Sequence, residues 1–135
     1  MKPKILIVDD HEIVREGIRT LLAKTRTDWD VCGEAANANK ALAAVQELKP
    51  DVVILDISMP GISGLEAMQR MKKLEATPRA LIFTMHDSKT LDSEVRKAGG
   101  QGYVLKSQAA RDLVRAIQSI LAGGTFFGSA TDTAS

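Results

Sequence analysis

The sequence predicts an α/β domain with a five-stranded parallel sheet and helices packed on both faces. Two observations carry this prediction. Short apolar runs recur along the chain, as at Ile5-Leu6-Ile7-Val8, Val52-Val53-Ile54-Leu55 and Ala80-Leu81-Ile82-Phe83. They are free of polar alternation, which suits strands covered on both sides. Segments with helical apolar spacing separate them, joined by short loops. Crossovers between the strands are expected to be right-handed.

The elements follow in order. Lys4 opens the first strand, which ends at Asp9-Asp10. A helix over 12–24 sets Ile13, Val14, Gly17, Ile18, Leu21 and Leu22 on one stripe. A weaker strand covers 29–35, and the side chains of Asn37 and Asn39 can cap the next helix, which buries Ala41, Leu42, Val45 and Leu48. Pro50 closes that unit. The central strand then runs to Asp56, and the loop over 60–64 leads to a helix with Leu65, Met68 and Met71 inward. After Pro78 comes the strand ending at Thr84. A helix over 88–98 carries a thin row of Leu91, Val95 and Ala98, closed by Gly99-Gly100. The fifth strand, Gly102 to Leu105, ends at Lys106. Ser107 is the expected cap of a last helix reaching Ala122. In that helix Ala110, Leu113, Ile117 and Ile120 form a stripe for the sheet, widened by Val114, Ala116 and Leu121. One domain is expected over 1–124, followed over 125–135 by a polar tail or the start of a linker to a further domain.

Composition sets the bounds. The chain has 135 residues, 44% apolar and 26% charged, enough for one domain with a core. A net charge of +1 gives no footprint for nucleic acid or an anionic membrane. No apolar stretch can span a bilayer, and no secretory leader is evident. Cys32 is the only cysteine and is expected to be a small buried thiol. A reducing, cytoplasmic setting is the expectation.

Parallel strands place Asp9, Asp10, Asp56, Thr84 and Lys106 on one edge of the sheet, the edge where α/β folds bind ligands. Three carboxylates close together need a cation or take up protons. An oxygen-only donor set suits a hard ion such as Mg²⁺. A lysine and a threonine hydroxyl beside them can hold the oxygens of a phosphoryl group. Taken singly, each residue has an ordinary role: Asp9-Asp10 as a helix cap, Thr84 as a strand end, Lys106 as a solvated charge, Tyr103 as a half-buried anchor, Met68 and Met71 as core filler. His11 and His86 do not pair at a metal-ligand spacing, and neither is read as a zinc ligand.

Together, Val8-Asp9-Asp10, Leu55-Asp56-Ile57-Ser58-Met59-Pro60, Thr84 and Tyr103-Val104-Leu105-Lys106 resemble the signature set of the two-component response-regulator receiver domain. The stretches 13–22, Gly33-Glu34-Ala35 and Thr84-Met85-His86-Asp87 resemble the NarL/FixJ (LuxR-type) class most. The resemblance implies a flavodoxin-like (βα)5 fold with strand order 2-1-3-4-5. It implies Asp56 as phosphoacceptor for a sensor histidine kinase. It also implies Mg²⁺ held by Asp10, Asp56 and the backbone carbonyl of Ser58, with Asp9 acting through water. Lys106 and Thr84 would hold phosphoryl oxygens, and Tyr103 would be the rotameric switch. Such a domain is a phosphoacceptor switch and not an enzyme, although it assists its own phosphorylation and dephosphorylation.

Met85 stands where the family often has Ala, and is expected to narrow access or restrain Tyr103. Ser107 stands where Pro is frequent; the family implies a cis bond there, which costs about 2.5–4 kcal/mol without proline. Ser58 and His86 flank the site at positions that tune phosphoryl lifetime. The expected whole is the N-terminal part of a DNA-binding regulator, with a possible homodimer through the last helix. The alternative is a stand-alone receiver or a non-phosphorylated scaffold. A flavin carrier would need a Ser/Thr/Gly-rich phosphate loop after the first strand, and an NTPase a Gly-Lys-Ser/Thr motif; the sequence has neither.

Overall fold

The structure is a computed structural model that describes residues 2–127. The elements are β1 (Lys4–Val8), α1 (Glu12–Thr25), β2 (Asp30–Ala35), α2 (Ala38–Leu48), β3 (Val52–Leu55), α3 (Gly64–Met71), β4 (Arg79–Thr84), α4 (Leu91–Ala98), β5 (Gly102–Leu105), α5 (Ala109–Leu121) and β6 (Phe126–Phe127). All pairings are parallel, and the sheet order is β2-β1-β3-β4-β5-β6. The expected order 2-1-3-4-5 is present, with a sixth strand added beside β5.

Alternation along the strands divides the core in two. Leu6, Val8, Val53, Leu55, Ala80 and Ile82 pack under α2, α3 and α4. Ile5, Ile7, Val52, Ile54, Leu81 and Phe83 pack under α1 and α5. Burying each such side chain contributes about 1.5–3 kcal/mol. This two-sided demand is why the strands read as continuous apolar runs.

Four helix expectations shift. The thin row of α4 is buried as expected, but the helix begins at Leu91 and not at 88. The chain leaves β5 through a 3₁₀ turn, Lys106–Gln108, so α5 starts later and Ser107 does not cap it. Ala110, in the first turn of α5, is exposed, while Ala116 joins Leu113, Ile117 and Ile120 in the core. On α1, Ile18 and Leu22 are buried while Ile13 is 83% exposed, so the core-facing stripe is narrower than expected. Cys32 is half-buried, since β2 is an edge strand. The peptide after Lys106 is trans.

The expected polar tail differs at its start. Phe126 and Phe127 are buried and extend the sheet through Gly102↔Phe126 and Tyr103↔Phe127. A Cβ at Gly102 would collide with the Phe126 carbonyl, so glycine there admits the added strand. The rest of the expected tail, 128–135, lies outside the described residues. Among the described residues, no helix is long and apolar enough to cross a membrane.

Candidate functional site

Parallel pairing sets the site by register. Val8 pairs with Leu55, and Thr84 with Leu105. The residues that follow Val8 and Leu55, namely Asp9 and Asp56, therefore emerge side by side. Thr84 closes β4 and Lys106 follows β5 on the same edge. The ladder continues past both strands: the Asp9 N–H donates to the Ala35 carbonyl at 3.1 Å, and the Asp56 N–H to the Val8 carbonyl at 3.0 Å. Asp9, Asp56 and Thr84 are almost wholly buried, at 0%, 4% and 4% exposure. Gly64 closes the floor, since a Cβ there would strike the Asp56 carbonyl.

The five residues singled out at the sheet edge are brought together. Lys106 donates from Nζ to Asp9 Oδ2 at 2.8 Å and stands 3.5 Å from Asp56 Oδ2. The Ser58 N–H donates to Asp56 Oδ1 at 3.3 Å. Thr84 Oγ1 accepts from the His86 N–H at 3.3 Å. Asp56, Ser58, Thr84, Met85, His86, Lys106 and His11 line one small cavity of about 70 Å³ at the sheet edge. Met85, 71% exposed, stands at its mouth. Burial, then the negative charge of Asp9, push the Asp56 carboxyl above the usual carboxylate range; Lys106 and the Ser58 N–H oppose this.

The acidic cluster fits a divalent cation. Asp9, Asp10, His11 and Asp56 each offer one ligand atom within 4.8 Å of the others. Asp10 Oδ1 is buried and accepts no hydrogen bond from the described residues. A shielded carboxylate oxygen without a donor is costly, and a cation relieves it. Oxygen donors in this number suit Mg²⁺ or a related ion. His11 lies in this cluster without His86, so the two histidines do not pair, as expected from their spacing. Adjacency in the chain, not a spaced pair, brings it there.

Two other residues were missed. Arg15 donates from Nη1 to the Asp9 carbonyl at 2.7 Å and from Nε to Glu34 Oε1 at 2.9 Å. It thereby ties the loop bearing Asp10 to β2. No pattern in the sequence marks it, because its partners come from a turn and another strand. Phe127 meets the Tyr103 ring edge-on, centroids 6.2 Å apart, and the Arg96 guanidinium of α4 lies 3.8 Å above the Phe127 ring. An aromatic pair after Gly123-Gly124 was a legible strand signal.

Comparison with known proteins agrees with this geometry. Residues 5–118 match the family described as the response regulator receiver domain. The response regulator UvrY of Escherichia coli (strain K12) is 38% identical over 125 residues, covering 93% of this chain and 57% of that protein. A two-component response regulator of the LuxR family from Aurantimonas sp. SI85-9A1 superposes with a TM-score of 0.87 at 40% identity, covering 93% of this chain and 89% of that one. A structure of two RcsB dimers bound to two parallel DNAs contains a chain of TM-score 0.85 at 28% identity, covering 95% of this chain and 65% of that one. The chain spans little more than half the length of the curated relatives it matches. With the family match covering most of its length and its strand ends assembled as described, the chain belongs to the receiver-domain family of two-component response regulators, in the NarL/FixJ class.

Proposed function

We propose that Asp56 is the phosphoacceptor of this receiver and that a sensor histidine kinase is its donor. The observation that carries the reading is the Asp56 carboxylate, buried at the end of β3 with Lys106 Nζ 3.5 Å away and Asp9 beside it. A carboxylate oxygen of Asp56 attacks phosphorus, and the P–N bond of the donor phosphohistidine breaks. The electron pair leaves with the imidazole, which takes a proton. The product is an acyl phosphate on Asp56.

Each neighbour has a task. Asp9, Asp10, Asp56 and the Ser58 carbonyl are the proposed holders of Mg²⁺, with Asp9 acting through water. When bound, the ion offsets negative charge on the phosphoryl oxygens. Lys106 is already poised between two carboxylates, and its ammonium can turn to a phosphoryl oxygen. The Thr84 hydroxyl can reach another. Tyr103, packed edge-on to Phe127, is the proposed switch, moving as Thr84 is drawn inward. The domain thus acts as a switch that assists its own Mg²⁺-dependent phosphorylation and dephosphorylation, in the reducing cytoplasm.

The relatives support a transcriptional output: RcsB dimers are bound to DNA in one of the similar structures, and for this receiver the DNA contact is assigned to an effector domain outside it. They also support a homodimer. Between α1 and α5 runs an apolar furrow lined by Val14, Gly17, Leu21, Ala109, Ala110 and Phe83. Apolar surface left open marks an interaction site.

Intact-mass measurement after incubation with acetyl phosphate tests the reading. One phosphoryl adduct is expected with Mg²⁺, none with excess chelator and none in Asp56→Asn. An equal adduct in Asp56→Asn overturns the assignment.

A further inference from the structure

His11 brings a nitrogen donor to the acidic pocket. Its Nδ1 lies 3.2 Å from Asp9 Oδ1 and 3.1 Å from Asp10 Oδ1. Neighbouring ligands in an octahedral site with bonds of about 2.1 Å stand about 3.0 Å apart. In a tetrahedral site of similar bond length they stand about 3.4 Å apart. Both His11 distances fall between these two edges. The four ligand atoms all lie within 4.8 Å of one another, so a closing movement of at most a few tenths of an ångström per atom brings opposite ligands to the octahedral spacing of about 4.2 Å.

Three features make the imidazole more than a surface side chain. The His11 N–H of the backbone donates to Asp9 Oδ1 at 2.9 Å, so the turn holds the ring over the carboxylates. Nδ1 also pairs with Asp9 Oδ1, yet its approach to Asp10 Oδ1 is not a hydrogen bond. That buried oxygen is without a donor among the described residues, and Nδ1 is a close neighbour that a shared cation would join to it. The side chain of His11 is 65% exposed, which leaves an entry path for an ion from solvent.

Donor chemistry sets the consequence. Mg²⁺ prefers oxygen and keeps much of its water, so an imidazole adds little for it. Affinity at sites containing nitrogen rises from Mn²⁺ through Co²⁺ to Ni²⁺, and Zn²⁺ also favours imidazole. We propose that His11 is a protein ligand of the acidic pocket for nitrogen-accepting divalent cations. Ni²⁺, Co²⁺ and Zn²⁺ then bind at the phosphoacceptor edge more tightly than Mg²⁺ and compete with it. His86, on the far lip of the same cavity, takes no part: the cluster of mutually close ligand atoms contains His11 and not His86. The inference rests on the reading of this pocket as a cation site.

Calorimetric titration of the chain with Ni²⁺ and with Mg²⁺ tests it, in the wild type and in His11→Ala, His86→Ala and Asp10→Ala. The wild type is expected to bind Ni²⁺ at least tenfold more tightly than Mg²⁺, with His11→Ala losing about tenfold or more for Ni²⁺ and little for Mg²⁺. His86→Ala should match the wild type. Paramagnetic broadening by Ni²⁺ should centre on the amides of Asp9, Asp10 and Asp56. Unchanged Ni²⁺ affinity in His11→Ala, or broadening centred elsewhere, overturns the proposal. Should Asp10→Ala weaken Mg²⁺ while His11→Ala leaves Ni²⁺ unaffected, the cation site stands and the role of His11 falls. Should Asp10→Ala change neither metal, the cation-site reading itself fails.

Discussion

Lys106 donates from Nζ to Asp9 Oδ2 at 2.8 Å while standing 3.5 Å from Asp56 Oδ2, so one ammonium is shared between two buried carboxylates and offsets only part of their charge. This contact joins residues 97 positions apart and holds the edge of the sheet together electrostatically. Lys106 is therefore expected to compete with a divalent cation for these carboxylates. Lys106→Met should bind Mg²⁺ more tightly than the wild type, on the order of tenfold, the effect of about 1.4 kcal/mol. Calorimetric titration with Mg²⁺ measures this, and weaker binding in the mutant would contradict it.

The Asp56 carboxyl is raised by burial and then by Asp9, against the pull of Lys106 and the Ser58 N–H. A raised value in the folded state means that folding favours the protonated form. Ionised Asp56 therefore costs stability above its folded value. The cost shrinks as pH falls and is absent below the ordinary value of about 3.9. Asp56→Asn should melt higher than the wild type at pH 7 without metal, and the two melting temperatures should converge toward pH 4. A mutant that melts lower at pH 7 would show that ionised Asp56 stabilises the fold.

Much of this was legible because strand burial and strand ends both leave marks in sequence. Two-sided burial produced the apolar runs at Ile5 and Val52, and polar residues at strand ends placed Asp56 and Lys106 on one edge. The rest depends on contacts between distant segments. Arg15 reaches a backbone carbonyl and a glutamate on β2, which no spacing records. Ser107 fails as a cap because a 3₁₀ turn intervenes, a choice made by the junction with β5. Phe126-Phe127 was absorbed into a polar tail because its neighbours are small and polar, although two aromatics together have strand propensity.

Transmission should run from Thr84 to Tyr103, then to α4 through Phe127. Phe127 lies against both Tyr103 and Arg96, so a turn of the Tyr103 ring disturbs the added strand and α4 together. Thr84→Ala should still accept a phosphoryl group. Its amide NMR spectrum with beryllofluoride should lack the shifts at Arg96, Tyr103 and Phe127 seen in the wild type. The same shifts in the mutant would place the switch elsewhere.

Self-association should use the α1–α5 furrow. Ile13, 83% exposed, precedes Val14 of its lining, and two-fold dimers are the commonest oligomers. Beryllofluoride with Mg²⁺ should raise the dimer fraction in sedimentation velocity, and Ile13→Glu should lower it. Beryllofluoride can shift the equilibrium only by its differential affinity for the two states. Monomer profiles unchanged at high protein concentration would remove dimerisation as the output of this chain.

Among three neighbouring carboxylates, Asp56 is the one expected to form the acyl phosphate. Borohydride reduction converts an aspartyl phosphate to homoserine, and peptide mapping then locates it. After treatment with acetyl phosphate and Mg²⁺, homoserine is predicted at position 56 alone. Homoserine at position 9 or 10, or aspartate retained at all three, would contradict the account.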